Sequence, residues 1–221
     1  MGPRPEPPQP TGLPSTGLPS TGLPSTGLPA ELQPFRSDSP EETARLLAQG
    51  LVRRVIADVV VAFDAPDSRE IRVAAASLLL PLQTRVDPGW IVAFQSAAWL
   101  HLGSAGQPGS ADQLRAAPAQ LQVIIPPGRR RPRLPGVRGR QVSLDPDQVM
   151  FLDGLAVTDP VRTAADVARD LPAGEALTTL RQLGELLGVH PHQVIDLLST
   201  MRYARGAATG RRLVRQWAAE R

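Results

Sequence analysis

The stretch Leu121–Pro172 constrains the fold of this chain more than any other. It opens on an apolar run, Gln122–Ile125, and continues through a turn that Pro132, Pro135, Gly136 and Gly139 keep out of regular structure. Two short apolar segments follow, Val149–Leu152 and Leu155–Val157, around Asp153-Gly154, a dipeptide that favours a hairpin. A helix start then stands out: Asp159 can accept orphan backbone N–H groups, and Pro160 needs no donor at the first helical position. Strand signals running straight into helix signals predict an α+β fold. The turn itself carries six arginines within twelve residues, Arg129, Arg130, Arg131, Arg133, Arg138 and Arg140, with no acid among them. Cations packed this closely repel one another and gain most when an anion neutralises them. Nucleic-acid phosphate or an acidic protein face would serve, and a merely solvated loop is the alternative. No aromatic residues are interleaved, so base stacking is not indicated. Gln122–Ile125 is expected to pair with Gln141–Leu144 across this turn.

Composition narrows the chemistry. All 24 basic side chains other than histidine are arginine; lysine, asparagine and cysteine are absent. Without lysine there is no P-loop lysine, no Schiff base and no lysine-dependent nuclease site. Without cysteine there are no disulfides and no Cys-ligated zinc or iron–sulfur centre. Net charge is only +3, so basicity is local. Asp153, Asp159, Asp166 and Asp170 lie on a turn, a cap and one helix, and nothing gathers three of them around one point. His190 and His192 flank Pro191 at a helix start without metal-site spacing. No metal, cofactor or small-molecule substrate is therefore expected, and the chain reads as a non-enzyme. The apolar run Val55–Phe63 is interrupted by Asp58 and far shorter than the roughly 18 residues a membrane span needs. With no basic-then-apolar leader either, a cytoplasmic protein is the expectation.

Residues 11–30 are four copies of a five-residue repeat, TGLPS with a final TGLPA. A period of five suits neither helix nor strand, and residues 1–38 are expected to form a disordered Pro-rich tail. Order is expected from Ser39, where Ser39-Pro40-Glu41-Glu42 reads as a capping box and Gly50 as the helix stop. Leu51–Ile56 and Asp58–Phe63 read as strands on either side of Ala57. Asp67–Glu70 reads as a second capping box, opening a helix with Ile71, Ala74, Ala75, Leu78 and Leu79 on one face and Pro81 at its limit. Trp90–Phe94 reads as a strand, Ser96–Leu102 as a helix closed by Gly103, and 103–118 as a small-residue loop. Four helices are predicted at 160–170, 174–187, 191–203 and 209–219, the last bearing Arg211, Arg212 and Arg215. Arg162 and Asp166 lie four apart on one helix face, where a partly buried arginine would tie the helix to neighbouring carbonyls or an acid.

Four pieces together resemble the AbiEi-type antitoxins of type IV toxin–antitoxin (abortive infection) systems, especially actinobacterial forms. They are Leu47–Val55 (LAQGLVRRV), Ser96–Leu102 (SAAWLHL), Gln122–Gly128 (QVIIPPG) and Gly154–Ala168 (GLAVTDPVRTAADVA). The last is the most specific, with Pro160, Arg162, Thr163 and Asp166 in a Pro-x-Arg-Thr-x-x-Asp pattern. The resemblance implies a partial winged-helix-like part at 39–88 and an antitoxin domain at 89–221 with a mixed small sheet and a helical C-terminal region. It also implies a non-catalytic protein that neutralises a nucleotidyltransferase-type toxin. Autorepression of its operon through DNA binding is the alternative, and a degenerate nuclease-associated protein a more distant one. The family places a full helix-turn-helix before LAQGLVRRV, whereas this chain has one helix there. Where relatives carry Gly-Val-Tyr in the wing, it has Asp58-Val59-Val60. The arginine turn and Arg211, Arg212 and Arg215 are the expected contacts to toxin or nucleic acid.

Overall fold

The computed structural model describes residues 27–80, 89–103, 118–129, 133–201 and 204–220. Helix α1 (Pro40–Ala48) starts as its sequence dictates, with Ser39 Oγ accepting the Glu42 N–H at 3.2 Å. The reciprocal half of the capping box is absent: the Glu42 carboxylate instead accepts the Ser37 hydroxyl at 2.7 Å. Gly50, at φ +67°, closes the helix. Its N–H reaches the Leu47 carbonyl while Leu51 N–H reaches that of Leu46, the paired bonds of a Schellman stop. Strands β2 (Val52–Ile56) and β3 (Val59–Ala62) form a hairpin turning at Ala57, and β1 (Phe35–Arg36) adds to the far side of β3. Order therefore begins upstream of Ser39. Phe35 pairs with Val60, Arg36 donates to the Asp58 carboxylate at 2.6 Å, and Leu28 and Leu32 pack on the core. The edge of β3 and an acid placed to meet Arg36 overcome the proline-rich composition.

Helix α2 (Arg69–Ser77) is capped by Ser68 rather than Asp67. Asp67 is occupied by Arg72, whose Nε donates to it at 2.8 Å. Arg72 is buried on α2, donates to the Trp99 carbonyl at 2.8 Å and lies 5.2 Å from the Trp99 ring centroid. The helix is thus buried almost all round, beyond the single apolar face its sequence suggested.

Five strands form a mixed sheet in the order β6-β5-β4-β8-β7, numbered along the chain. β4 (Ile91–Val92) is shorter than the predicted Trp90–Phe94, because Phe94 takes φ +58° and opens α3 (Phe94–Leu102). No local side chain caps α3. Gln122 reaches from β5 (Leu121–Ile125) to accept the Gln95 N–H at 3.2 Å. β5 runs antiparallel to β4 and parallel to β6 (Val137–Gln141). The expected partner of β5, Gln141–Leu144, is therefore displaced. A parallel partner must start level with Leu121, so the chain returns along the strand before pairing, and Val137 lies opposite Leu121. β7 (Val149–Leu152) and β8 (Leu155–Thr158) form the expected hairpin, with Asp153 and Gly154 both at positive φ.

After β8 come α4 (Pro160–Asp170), α5 (Ala173–Leu187), α6 (Pro191–Thr200) and α7 (Ala207–Ala219). α6 ends three residues earlier and α7 begins two residues earlier than their sequence limits of 203 and 209. One apolar cluster joins Val55, Ile56 and Val59 of the N-terminal hairpin to Val92, Leu121, Val123 and Ile125 of the mixed sheet. A second, around Leu180, Leu183, Leu198 and Trp217, holds the C-terminal helices together. The architecture is α+β with a helical C-terminal region. The repeats up to residue 26, Pro81, most of the 103–118 loop, Arg130 and Arg131 lie outside the described residues.

Candidate anion-binding site

The site is built on α4. Asp159 Oδ1 accepts the N–H groups of Val161 (2.8 Å) and Arg162 (3.2 Å), fixing the first turn. The Thr163 hydroxyl meets that of Thr158 at 2.8 Å and locks the helix to the end of β8. From there, helical spacing sets Arg162, Asp166, Arg169 and Asp170 along one side. Asp166 is wholly buried and accepts Arg162 Nε at 3.0 Å and Arg169 Nη1 at 2.9 Å. Burial pushes the Asp166 carboxyl up, opposed by the two guanidinium groups, and the same burial pushes Arg169 down. Arg162 also donates to Gln148 Oε1 at 2.6 Å, while its Nη2 meets no partner among the described residues.

One turn further, Asp170 leaves the core and holds Arg140 of β6 through two contacts of 2.8 Å. This bidentate fork and the Phe94 ring, 4.4 Å from the guanidinium, clamp Arg140 from two sides. The Asp170 hydrogen bond raises the Arg140 pKa. Strand alternation explains why both arginines of β6 point this way. Gly139 between them faces the core, where a Cβ would stand 2.6 Å from Ile125 Cδ1. Arg138 and Arg140 project to the other face.

Together these elements wall a cleft of about 660 Å³ lined by Arg138, Arg140, Arg169, Asp170, Arg205 and Gly206. Arg169 Nε donates to the Arg205 carbonyl at 3.1 Å and draws the α6–α7 connection onto α4. Gly206, at φ +78°, is required by that approach, since a Cβ there would stand 2.5 Å from the Arg169 carbonyl oxygen. α7 begins at this point with no side-chain cap and no acid in its first turn. Arg140 is matched by Asp170 and Arg169 by Asp166. Arg138 and Arg205 are exposed, and their side chains make no hydrogen bond or ion pair with any described residue. Two uncompensated cations therefore face one concave space.

The arginines singled out from the sequence are dispersed by the fold. Arg138 and Arg140 belong to the cleft. Arg133 is exposed on the crossover before β6, and the Arg129 carbonyl accepts Gln141 Nε2 at 3.0 Å. Arg211 is tied to the Leu198 carbonyl at 3.1 Å, whereas Arg212 and Arg215 are exposed on α7. Arg169 and Arg205 were not anticipated. The spacing of Arg169 from Asp166 could have revealed the first; nothing local reveals Arg205, which depends on the turn at Gly206.

The sequence model of the AbiEi antitoxin C-terminal domain matches residues 91–215, more than half of the chain. The chain belongs to the AbiEi antitoxin family. The match takes in the cleft, all of α4 and most of α7. Membership carries an antitoxin role of the type IV toxin–antitoxin kind, and with it a toxin as partner. Among solved structures, this AbiEi-family chain is similar to the RV2827C protein from Mycobacterium tuberculosis. The two are 17% identical, the alignment covers 84% of this chain and 71% of that one, and the TM-score is 0.40. No curated protein matches. Among the described residues, no helix is long and apolar enough to cross a membrane.

Proposed function

We propose that this chain is a non-catalytic, cytoplasmic antitoxin that neutralises a nucleotidyltransferase-type toxin by binding it. The observation that carries this reading is the family match over 91–215, which spans the exposed arginines Arg133, Arg138, Arg212 and Arg215. With Arg129, Arg130 and Arg131, these are the proposed contacts to acidic faces of the toxin, reached from more than one part of the surface. Arg211 supports them from α7, and Arg140 from β6. Pro160, Arg162, Thr163 and Asp166 act as the structural motif that fixes the helix beneath. In domain terms, residues 39–88 form a truncated winged-helix-like module to which 27–38 contribute β1, and 89–221 form the antitoxin domain.

Operon DNA is the second partner to test, and the N-terminal sheet gives it less support. The arginines of that sheet are already engaged: Arg36 with Asp58, Arg53 with the Ala65 and Pro66 carbonyls, and Arg54 with the Ala57 carbonyl. Co-expression with the product of the adjacent gene, scored as growth rescue, tests the antitoxin reading. Rescue by soluble wild-type chain is the expected result, and its failure overturns the reading. A sequence-selective gel shift of the operator, without rescue, would instead favour the autorepressor. If the arginine turn contacts four phosphates, log affinity should fall with log salt at a slope of roughly −3.6.

A further inference from the structure

We propose that the cleft between β6, the end of α4 and the start of α7 binds a compact polyphosphate, a ligand carrying two or more adjacent phosphate groups. This goes beyond the antitoxin reading and does not depend on it. The argument starts from shape: about 660 Å³ falls within the range of small-ligand sites, roughly 300–1,000 Å³. The lining chemistry is one-sided, with Arg138, Arg140, Arg169 and Arg205 facing the single acid Asp170. Asp170 pairs with Arg140, and the buried Asp166, which Arg162 shares, pairs with Arg169, and these contacts hold the two cleft side chains still. Among the described residues that line the cleft, the cations without an acid partner are Arg138 and Arg205, one from each wall. A ligand placed between them therefore needs at least two negative charges, and it meets a site whose other two arginines require no reordering.

Phosphate fits this demand better than a carboxylate. A guanidinium presents paired donors that match phosphate oxygens, and a single carboxylate would leave one of the two free arginines unmatched. The uncapped start of α7 at Gly206 adds a partial positive charge to the same space. Among the described residues no aromatic side chain lines the cleft, and the nearby Phe94 ring is buried beneath Arg140. The arginines that line it recognise phosphate groups. A nucleic-acid backbone presents its charges one by one along a track, whereas these arginines converge on one concavity.

The test is calorimetric titration of the full chain with sodium tripolyphosphate at fixed ionic strength, with sulfate and a short DNA duplex as comparison ligands. A single saturable site for tripolyphosphate is expected, much tighter than for sulfate. Arg138→Ala and Arg205→Ala should each weaken it by about tenfold, the scale of one lost charge-assisted contact. Both residues are exposed and unpaired, so the variants should melt as the wild type does. Arg215→Ala, outside the cleft, should bind like the wild type. The proposal is overturned if tripolyphosphate shows no saturable binding, or if Arg138→Ala and Arg205→Ala bind it unchanged. It is equally overturned if those variants lose duplex binding while tripolyphosphate never binds, since the cleft would then be part of a nucleic-acid track. Growth rescue by an Arg205→Ala chain separates the two proposals, since Arg205 is not among the proposed toxin contacts: rescue with weakened tripolyphosphate binding leaves the antitoxin reading standing.

Discussion

The arginines of α4 and those of β6 sit close in space and do opposite things. On α4, helical spacing gives Arg162 and Arg169 a shared carboxylate, Asp166, and all three are largely withdrawn from water. Desolvating such ions costs several kcal/mol each, which the hydrogen-bonded ion pairs at Asp166 offset, while Arg162 Nη2 meets no partner among the described residues. Their charge is consumed inside the molecule. On β6 the alternation of the strand sends Arg138 outward past Gly139, with no acid to meet it. Its charge stays available. Arg140, next but one along the same strand, is captured by Asp170 and becomes a fixed wall. Counting arginines therefore says little about what a surface binds; the position of the nearest carboxylate decides.

The sharpest way to break this contrast is to remove the shared acid. Asp166→Ala should cost about 3–5 kcal/mol in urea unfolding, because two guanidinium groups lose their common acceptor. A loss below about 1 kcal/mol would mean that α4 does not depend on the network. His101 gives a smaller, pH-dependent effect. It is buried on α3, with its Nε2 2.7 Å from the Thr158 carbonyl, and burial depresses its pKa. The neutral ring is thus favoured in the fold. Its contribution is full above the usual histidine value of about 6.5 and is lost as pH falls through the lower folded value. Denaturation midpoints should drop on acidification below that point, and a His101→Gln chain should show a flatter profile; an identical profile would remove His101 from the account. The smallest effect is expected on the exposed side. Arg212→Ala and Arg215→Ala should each leave stability within about 0.5 kcal/mol of wild type. A larger loss would show that these arginines, too, are consumed internally.

Much of this was legible where the signal is local. Ser39, Asp159, Gly50 and Asp153-Gly154 mark helix starts, a stop and a turn through their own backbone chemistry, and each stands where the sequence put it. What escaped was set by distant partners. The parallel pairing of β5 and β6 cannot be told from a hairpin by hydrophobic pattern alone, and it moved Arg138 and Arg140 from a turn into an edge strand. Strand β1 exists because β3 offers an edge and Asp58 a partner, in a segment whose prolines argue for an open tail. Arg72 lies outside the apolar set marked in the sequence and is nevertheless buried, because Asp67 and the Trp99 carbonyl accept its guanidinium. The cleft has no motif at all. It arises where the turn at Gly206 folds back on Arg169, a contact of residues far apart in the chain.

The apolar cluster shared by the N-terminal hairpin and the mixed sheet bears on how the antitoxin part can be handled alone. Gly136 of the arginine crossover lies directly against the hairpin turn at Ala57, with room for no Cβ between them. Val55, Ile56 and Val59 share one apolar cluster with Ile71 and Val73 of α2 and with Val92, Leu121, Val123 and Ile125 of the sheet. A chain shortened to begin at residue 89 would lose that part of the cluster and turn a face of its central sheet toward water, inviting self-association. Solubility tags or truncation trials aimed at the matched domain should therefore keep residues from 27 onward, so that the hairpin and β1 travel with it.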